Sequence, residues 1–371
     1  MKSNIGTIRP FGLSYLCCMI YLNTAGTGKI SKESVAYAQS YLNEMVELGS
    51  LAAVKWRTKL DLPIKERAAE LLGTKPDQVA LIPNTSYGLN TIAQRLRNEK
   101  KSVLVVEGDY PSIVLPWMLL GYDVKTLNAP KGIVDESLLI DQIESQQYDI
   151  VVVSHVMWHS GYRSDIDAIG NCCASNNVIS IVDATQSLGV IPINFDTSGI
   201  DVILSSSYKW LHAGFGIGLT AMSEKFFKAF PPEIGGYASF QEVDDEWAYK
   251  PSMKSYQPGS VGISASAMLF NSLGEIHLQG VDEIYRKSMK NAEHLVALLK
   301  KNGFSLLGRP SGASLSPIVC VESVSGLFDY LATNNVIVVE RDGRIRFSVT
   351  HSTTTDELDQ LDGLLSVFVT V

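Results

Sequence analysis

The stretch Val178-Ile-Ser-Ile-Val-Asp-Ala-Thr-Gln186 reads as a short apolar strand that runs directly into an acid. A continuous apolar run, without polar alternation, is what a strand buried on both faces of a parallel sheet requires. Four other runs have the same character: Val79-Ala-Leu-Ile82, Val103-Leu-Val-Val106, Ile150-Val-Val-Val153 and Val202-Ile-Leu204. Helix-like stretches lie between them, including Gly88 to Leu96 and Ile166 to Ala174. Strand, helix, strand in succession predicts an α/β layer with a mainly parallel, doubly wound sheet.

The pattern changes after residue 258. A long helical stretch begins near Ser264, and a second runs from about Asp282 to Asn302-Gly303. Strand-like Phe304–Leu307 and Pro317–Val321 follow, then a helix from Ser325 to Asn334 and a strand over Val336–Glu340. Asp342-Gly343 signals a hairpin into Arg344–Val349, and Thr354-x-x-Glu357 is a capping-box start for a last helix. The expected division is a tail over 1–18, a large domain over 19–258 and a small α+β domain over 259–371. The first strand and helix are free to join the small domain.

At 371 residues and 46% hydrophobic, the chain is long and apolar enough for two packed domains. A net charge of −8 argues against a nucleic-acid or anionic-membrane partner. The five cysteines fall as Cys17–Cys18, Cys172–Cys173 and Cys320, with no metal-ligand spacing; no metal is expected, and a reducing cytoplasm is. Lys2 and Arg9 precede an apolar run over 11–22 that imitates a signal peptide, but no A-x-A-like site follows. The run flows into Asn23-Thr-Ala-Gly26 and reads as a first strand after a loose tail, with Met19 an alternative start. No uninterrupted apolar stretch reaches about 18 residues, so no membrane-spanning helix is expected.

Ligands of open α/β sheets bind beyond the carboxyl ends of the strands. Those ends carry Pro83-Asn-Thr-Ser-Tyr-Gly88, Glu107-Gly-Asp-Tyr110, Ser154-His155, Asp183-Ala-Thr-Gln186 and Ser205-Ser-Ser-Tyr-Lys209. Asn84-Thr85-Ser86 before a helix suits either an anion cradle or a simple N-cap. Asp183, closing an apolar strand, needs a cation or a helix terminus as partner when buried. Lys209 is a nucleophile or a solvated loop lysine, and His155 suits a strand-end role. Together, a cradle, a buried acid and a lysine match pyridoxal phosphate, whose aldehyde condenses with lysine and whose ring nitrogen needs a carboxylate. Gly214, Gly216 and Gly218 do not form a dinucleotide fingerprint, because position 219 is Leu.

From Tyr21-Leu-Asn-Thr-Ala-Gly26 to the C-terminus the sequence resembles the class V aminotransferases, which include cysteine desulfurases, kynureninase and isopenicillin N epimerase-like proteins. Asp183-Ala-Thr-Gln186 and Ser206-Ser-Tyr-Lys209-Trp-Leu-His-Ala-Gly-Phe-Gly-Ile-Gly218 carry the resemblance. It implies the pyridoxal phosphate transferase fold of type I. Lys209 would form the Schiff base, Asp183 would pair with the ring nitrogen, and Gln186 would meet the ring hydroxyl. Thr85, Ser86 and Ser206 would hold the phosphate, with Tyr110 over the ring. Gly259-Ser260 resembles the segment that reaches the neighbouring subunit's phosphate, which implies a homodimer. Arg346 matches the substrate-carboxylate arginine, with Asn23 and Arg341 as further substrate-side positions.

Three departures narrow the activity. The stretch Glu340-Arg-Asp-Gly-Arg-Ile345 lacks the persulfide-forming cysteine of desulfurases, and Cys320 lies earlier, in a strand. Tyr208 stands where desulfurases have histidine, and Trp158 where they have asparagine. The expected activity is transamination of an amino acid. A β-eliminating lyase (C–S or kynureninase-like), an epimerase and a non-catalytic binding relative are the alternatives.

Overall fold

The computed structural model describes residues 19–145 and 147–370. The tail expected over 1–18, with Cys17 and Cys18, lies outside the described residues. The chain enters at β1 (Ile20–Tyr21) and continues into two long helices, α1 (Lys32–Leu48) and α2 (Ser50–Leu72). The Ser31 hydroxyl caps α1 by accepting from the Ser34 N–H at 3.0 Å. Gly49, at φ 50°, breaks the two helices apart. β2 (Val79–Ile82) then leads through the Asn84 cap into α3 (Thr85–Leu96).

Strands and helices alternate from there: β3 (Ser102–Val106), α4 (Pro111–Leu119), β4 (Asp123–Leu127), α5 (Glu136–Glu144), β5 (Ile150–Ser154), α6 (Ile166–Ser175) and β6 (Ile179–Asp183). β7 (Val202–Ser206) and β8 (Gly218–Met222) complete a seven-stranded sheet of order β2-β8-β7-β6-β5-β3-β4. β8 runs antiparallel to both β2 and β7, and the other neighbours pair in parallel. Two reversals leave β2 pointing the same way as β7. The carboxyl ends of β2, β3, β5, β6 and β7 therefore share one edge, which is what places the site.

Successive side chains of a strand face opposite ways, and here both faces are covered. Val151, Val153, Val182 and Ile203 pack with α2, α5 and α6 on one side. Ile150, Val152, Ile181 and Val202 pack with α3 and α4 on the other. The mainly parallel, doubly wound layer is thus present. After β8 come α7 (Glu224–Ala229) and the hairpin β9 (Phe240–Val243) and β10 (Glu246–Tyr249), turned by Asp244 and Asp245 at φ 51° and 63°.

α8 (Ile263–Gln279) packs Leu269 and Leu273 into the core shared with α2 and the large sheet. Gly280, at φ 79°, turns the chain into α9 (Val281–Lys301), whose Leu295 and Leu299 join a second core. That core is completed by β11 (Ile318–Glu322), α10 (Leu327–Thr333), β12 (Val336–Ile337), β14 (Arg344–Ser348) and α11 (Thr355–Thr370), with the half-buried β13 (Val339–Arg341) beside β14. β11, β14 and β13 form an antiparallel sheet. β1 pairs in parallel with β12, and Asn23 bridges to Ser348, so the start of the described chain is tied to this C-terminal unit. The capping box forms: the Thr354 N–H donates to the Glu357 carboxylate at 2.8 Å, and the Glu357 N–H to Thr354 Oγ1 at 3.2 Å.

Several elements differ from expectation. α3 begins at Thr85 rather than Gly88, because the Asn84 side chain accepts from the Tyr87 N–H and starts the helix three residues earlier. β4 is an exposed edge strand, Asp-Val-Lys-Thr-Leu, with too few apolar residues to stand out. β8 starts on glycine and follows a glycine-rich loop, which hides it. Phe304–Leu307 makes only an isolated bridge, Leu306 to Val321. The strand expected over Val336–Glu340 is split, β12 serving β1 and β13 serving β14. Among the described residues no helix is long and apolar enough to cross a membrane.

Candidate active site

A pocket of about 330 Å³ opens on the shared carboxyl edge. Thr85, Ser86, Tyr110, Asp183, Gln186, Ser206 and Lys209, all expected at the site, line it. Thr85 and Ser86 are the first residues of α3, where backbone N–H groups and the helix dipole favour an anion. The Thr85 N–H donates to Ser206 Oγ at 3.0 Å, and Ser206 Oγ donates to Thr85 Oγ1 at 3.0 Å. Thr185 joins them: its Oγ1 lies 2.8 Å from Thr85 Oγ1 and accepts from the Ser206 N–H at 3.1 Å. Ser86 and Ser112 hydroxyls are 2.6 Å apart. This is a wall of hydroxyls at a helix N-terminus, suited to phosphate.

Asp183 ends β6, buried, with one carboxylate oxygen accepting from the Thr185 N–H at 2.8 Å. Burial raises its pKa, and the Thr185 hydrogen bond and the Lys209 charge oppose that rise. Lys209, just past β7, is also buried. Its pKa is lowered to about 7, first by burial and then by the Arg346 charge, with Asp183 opposing. Its Nζ lies 5.7 Å from the ring centres of both Tyr110 and Tyr208. An amine about half uncharged near neutral pH serves as both nucleophile and base.

Close to this pair sits Asp109, just past β3 in Glu107-Gly-Asp-Tyr110, for which the sequence alone suggests no role. β3 lies beside β5, and Asp109 accepts from the Ser154 N–H at 2.9 Å, the Ser154 hydroxyl at 2.6 Å and the Tyr110 N–H at 2.7 Å. Its carboxyl is pushed up to about 6 by burial, against those three hydrogen bonds. Ser154 pairs in register with Asp183. Asp109 therefore holds both the end of β5 and the turn that carries Tyr110.

The rest of the pocket is aromatic. The Trp158 Nε1–H donates to the Gly108 carbonyl at 3.1 Å, and its ring meets Tyr110 edge-on at 6.0 Å. Tyr208 and Phe215 stack at 4.4 Å. Gln186 is anchored at both ends: it donates to the Ala25 carbonyl at 3.1 Å and accepts from the Trp210 Nε1–H at 3.0 Å. The Gly28 N–H donates to the Tyr208 carbonyl at 2.8 Å, and a Cβ there would collide with the Lys209 carbonyl. Only glycine permits that approach.

Four expected residues do not line the pocket. Arg346 is held behind Trp158, its Nη1 donating to the Trp158 carbonyl at 2.8 Å. Arg341 lies with its guanidinium 4.7 Å from the Trp158 ring centre. Asn23 is buried, its Oδ1 without a hydrogen-bond partner among the described residues. Ser260 accepts from Arg57 Nη1 at 3.2 Å and lines a separate, larger hollow of about 510 Å³ with Lys250 and Lys254. That hollow holds an Asp61–Lys254 ion pair but not the Asp183–Lys209 strand-end pair or the hydroxyl wall at the start of α3. His155 faces a third cavity beside Arg163, away from the pocket. Cys320 is fully buried in β11, with its thiol pushed up to about 12 by burial. No cluster of metal-ligating side chains occurs among the described residues.

The model of the aminotransferase class-V family matches residues 20–361. An uncharacterized aminotransferase, YcbU, of Bacillus subtilis is 27% identical over 65% of this chain; the match spans 66% of that relative, just under two thirds of its length. A probable cysteine desulfurase of Methanothermobacter thermautotrophicus is 25% identical over 78% of this chain and 75% of its own. The solved structure of the cystine C–S lyase C-DES, in complex with its product cysteine persulfide, superposes with a TM-score of 0.85 at 18% identity. It covers 95% of this chain and 98% of its own, and so shares the type I fold. With the family model matched from β1 into α11 and the lysine and acid on adjacent strand ends, the chain belongs to the class-V aminotransferase family.

Proposed function

We propose that this protein transaminates an α-amino acid, with Lys209 handling the proton at the substrate Cα. Pyridoxal phosphate is the cofactor of the class-V family, and the donor set here fits it. A hydroxyl-lined helix N-terminus, a buried carboxylate and a buried, weakly basic lysine meet in one pocket, and that juxtaposition carries the reading. The bound cofactor supplies an aldehyde and an electron-accepting ring. Thr85, Ser86 and Ser206 bind its phosphate, and Asp183 holds a proton on its ring nitrogen. Tyr110 and Gln186 orient the ring. Lys209, with its amine free, would take the proton from the substrate Cα and deliver it to the carbon supplied by the cofactor aldehyde, as transamination requires. Arg346 presents a guanidinium fork for the substrate carboxylate.

The only described cysteine near the Arg346 strand is buried with its pKa raised to about 12, which supports transamination over sulfur transfer through a protein thiolate. The test is an amino-acid panel on the cofactor-loaded protein. Keto acid beyond one equivalent per bound cofactor should form only when a keto-acid acceptor is added, without ammonia or sulfide. Ammonia or sulfide release in the absence of an acceptor assigns β-elimination instead.

We infer a homodimer working in the cytoplasm. Ser260 lies with Arg57, Lys250 and Lys254 in a hollow away from its own pocket, which supports a residue that serves a neighbouring subunit. Cys172, Cys173 and Cys320 are unpaired, in keeping with a reducing compartment. Sedimentation of the loaded protein should give twice the chain mass; a fully active monomer contradicts the dimer. Fractionation of cells that express the protein should place it in the cytoplasmic fraction.

A further inference from the structure

This inference rests on the cofactor reading above and concerns the substrate. β13 and β14 pair antiparallel, with Arg341 opposite Arg344 and Val339 opposite Arg346. Directly paired residues, and alternate residues of one strand, share a face. Arg341, Arg344 and Arg346 therefore project from one face of the hairpin. β11 adds Cys320, opposite Arg346, and Glu322, opposite Arg344. Trp158 and His159 meet this face. Arg346 bonds the Trp158 carbonyl, the Arg341 guanidinium covers the Trp158 ring, and the Arg344 charge bears on His159. Trp158 in turn lines the pocket.

Three guanidiniums meet too few carboxylates here. Asp342 lies 3.5 Å from Arg341 Nε, but it is exposed and makes no hydrogen bond there. Such a pair contributes little in water. Glu322 turns to Lys131 at 3.3 Å, and Glu340 accepts from the Ser323 hydroxyl on the opposite face. Neither Arg344 nor Arg346 has a carboxylate partner among the described residues. The Nε atoms of Arg341 and Arg346 are buried without any hydrogen-bond partner. The Arg341 side chain is about a third exposed, and an unpaired buried guanidinium N–H costs free energy, so a carboxylate ligand reaching these forks would be favoured. One α-carboxylate satisfies only one fork. Arg341 and Arg346 are diagonal cross-strand neighbours, which stand about 7–8 Å apart, close to the span of a short dicarboxylic amino acid.

We propose that the substrate is an α-amino acid carrying a second carboxylate, with Arg346 taking the α-carboxylate and Arg341 the distal one. Arg344 adds its charge to the same face. Both arginines act as bidentate forks, which makes the recognition planar and directional.

Calorimetric titration of the holoenzyme with glutarate and with pentanoate separates the second carboxylate from chain length. Glutarate should bind about tenfold or more tightly than pentanoate, as a second charge-assisted fork implies. Arg341→Gln should erase that preference, Arg341→Lys should keep part of it, and Arg346→Gln should weaken both ligands. In turnover, kcat/KM for glutamate should exceed that for glutamine by about 30-fold, and Arg341→Gln should close most of the gap. Equal binding of the two acids, or an Arg341→Gln protein with an unchanged ratio, overturns the inference. Visible cofactor absorbance would then still stand as evidence for the cofactor reading. A protein that takes up no pyridoxal phosphate overturns that reading instead, and the same titration of the cofactor-free protein still tests the arginine face.

Discussion

Lys209→Ala is expected to abolish the visible absorbance of the cofactor-loaded protein and to lower kcat by about 10⁴-fold or more, since nucleophile and base are lost together. The wild-type amine is buried beside Arg346, and both features disfavour its protonated form; Asp183 only partly offsets them. With a pKa near 7, only about a tenth of the amine is uncharged at pH 6, against most of it at pH 8. Cofactor capture by the empty protein should therefore quicken across that interval with a midpoint near 7. Arg346→Gln removes the second-largest cause of the depression, so the midpoint should move upward. Added methylamine offers a control, because a small amine that fits the space left by Lys209 restores part of the lost base function. An alanine variant that keeps its colour and turnover would falsify the assignment. A capture rate flat from pH 6 to pH 8 would remove the role given to burial.

Lys209 and Asp183 are readable in the sequence because each ends a continuous apolar run, and chain physics places such ends on one edge of a parallel sheet. Thr185 is not readable in that way. A threonine two residues past an acid becomes part of the cradle only through the β6–β7 pairing, which brings its hydroxyl to the Ser206 N–H. Asp109 looks like a turn residue in Gly-Asp-Tyr-Pro, and only the neighbouring of β3 and β5 sets it against Ser154. β8 is hidden by its glycine start, yet it is the strand whose two reversals keep β2, and so Thr85, on the correct edge. The arginine face is half legible. Arg344 and Arg346 sit two apart, and Asp342-Gly343 announces a two-residue turn, but the register that adds Arg341 appears only in the folded hairpin. Long-range pairing, rather than local propensity, decides each of these.

Asp183→Asn is the second large effect, because it separates charge from shape. Asparagine keeps the volume, and its Oδ1 can still accept from the Thr185 N–H, so the β6 end should stay in place. What disappears is the negative charge that holds a proton on a basic ring nitrogen inside a dry pocket. Asp183 is buried, so that charge is poorly screened and acts at close range. Asp109, the next acid behind it, gives its oxygens to Ser154 and Tyr110 and cannot take its place. Cofactor retention should fall only slightly, since the hydroxyl cluster at the start of α3 is untouched. Turnover should fall by about 10²–10³-fold, the range seen when one preorganised electrostatic group is removed. The two readouts together make the test specific. Loss of cofactor with the remaining turnover per bound cofactor unchanged would mean that Asp183 is a binding residue alone. Turnover within about threefold of wild type, at full occupancy, would mean that the ring nitrogen does not depend on this carboxylate.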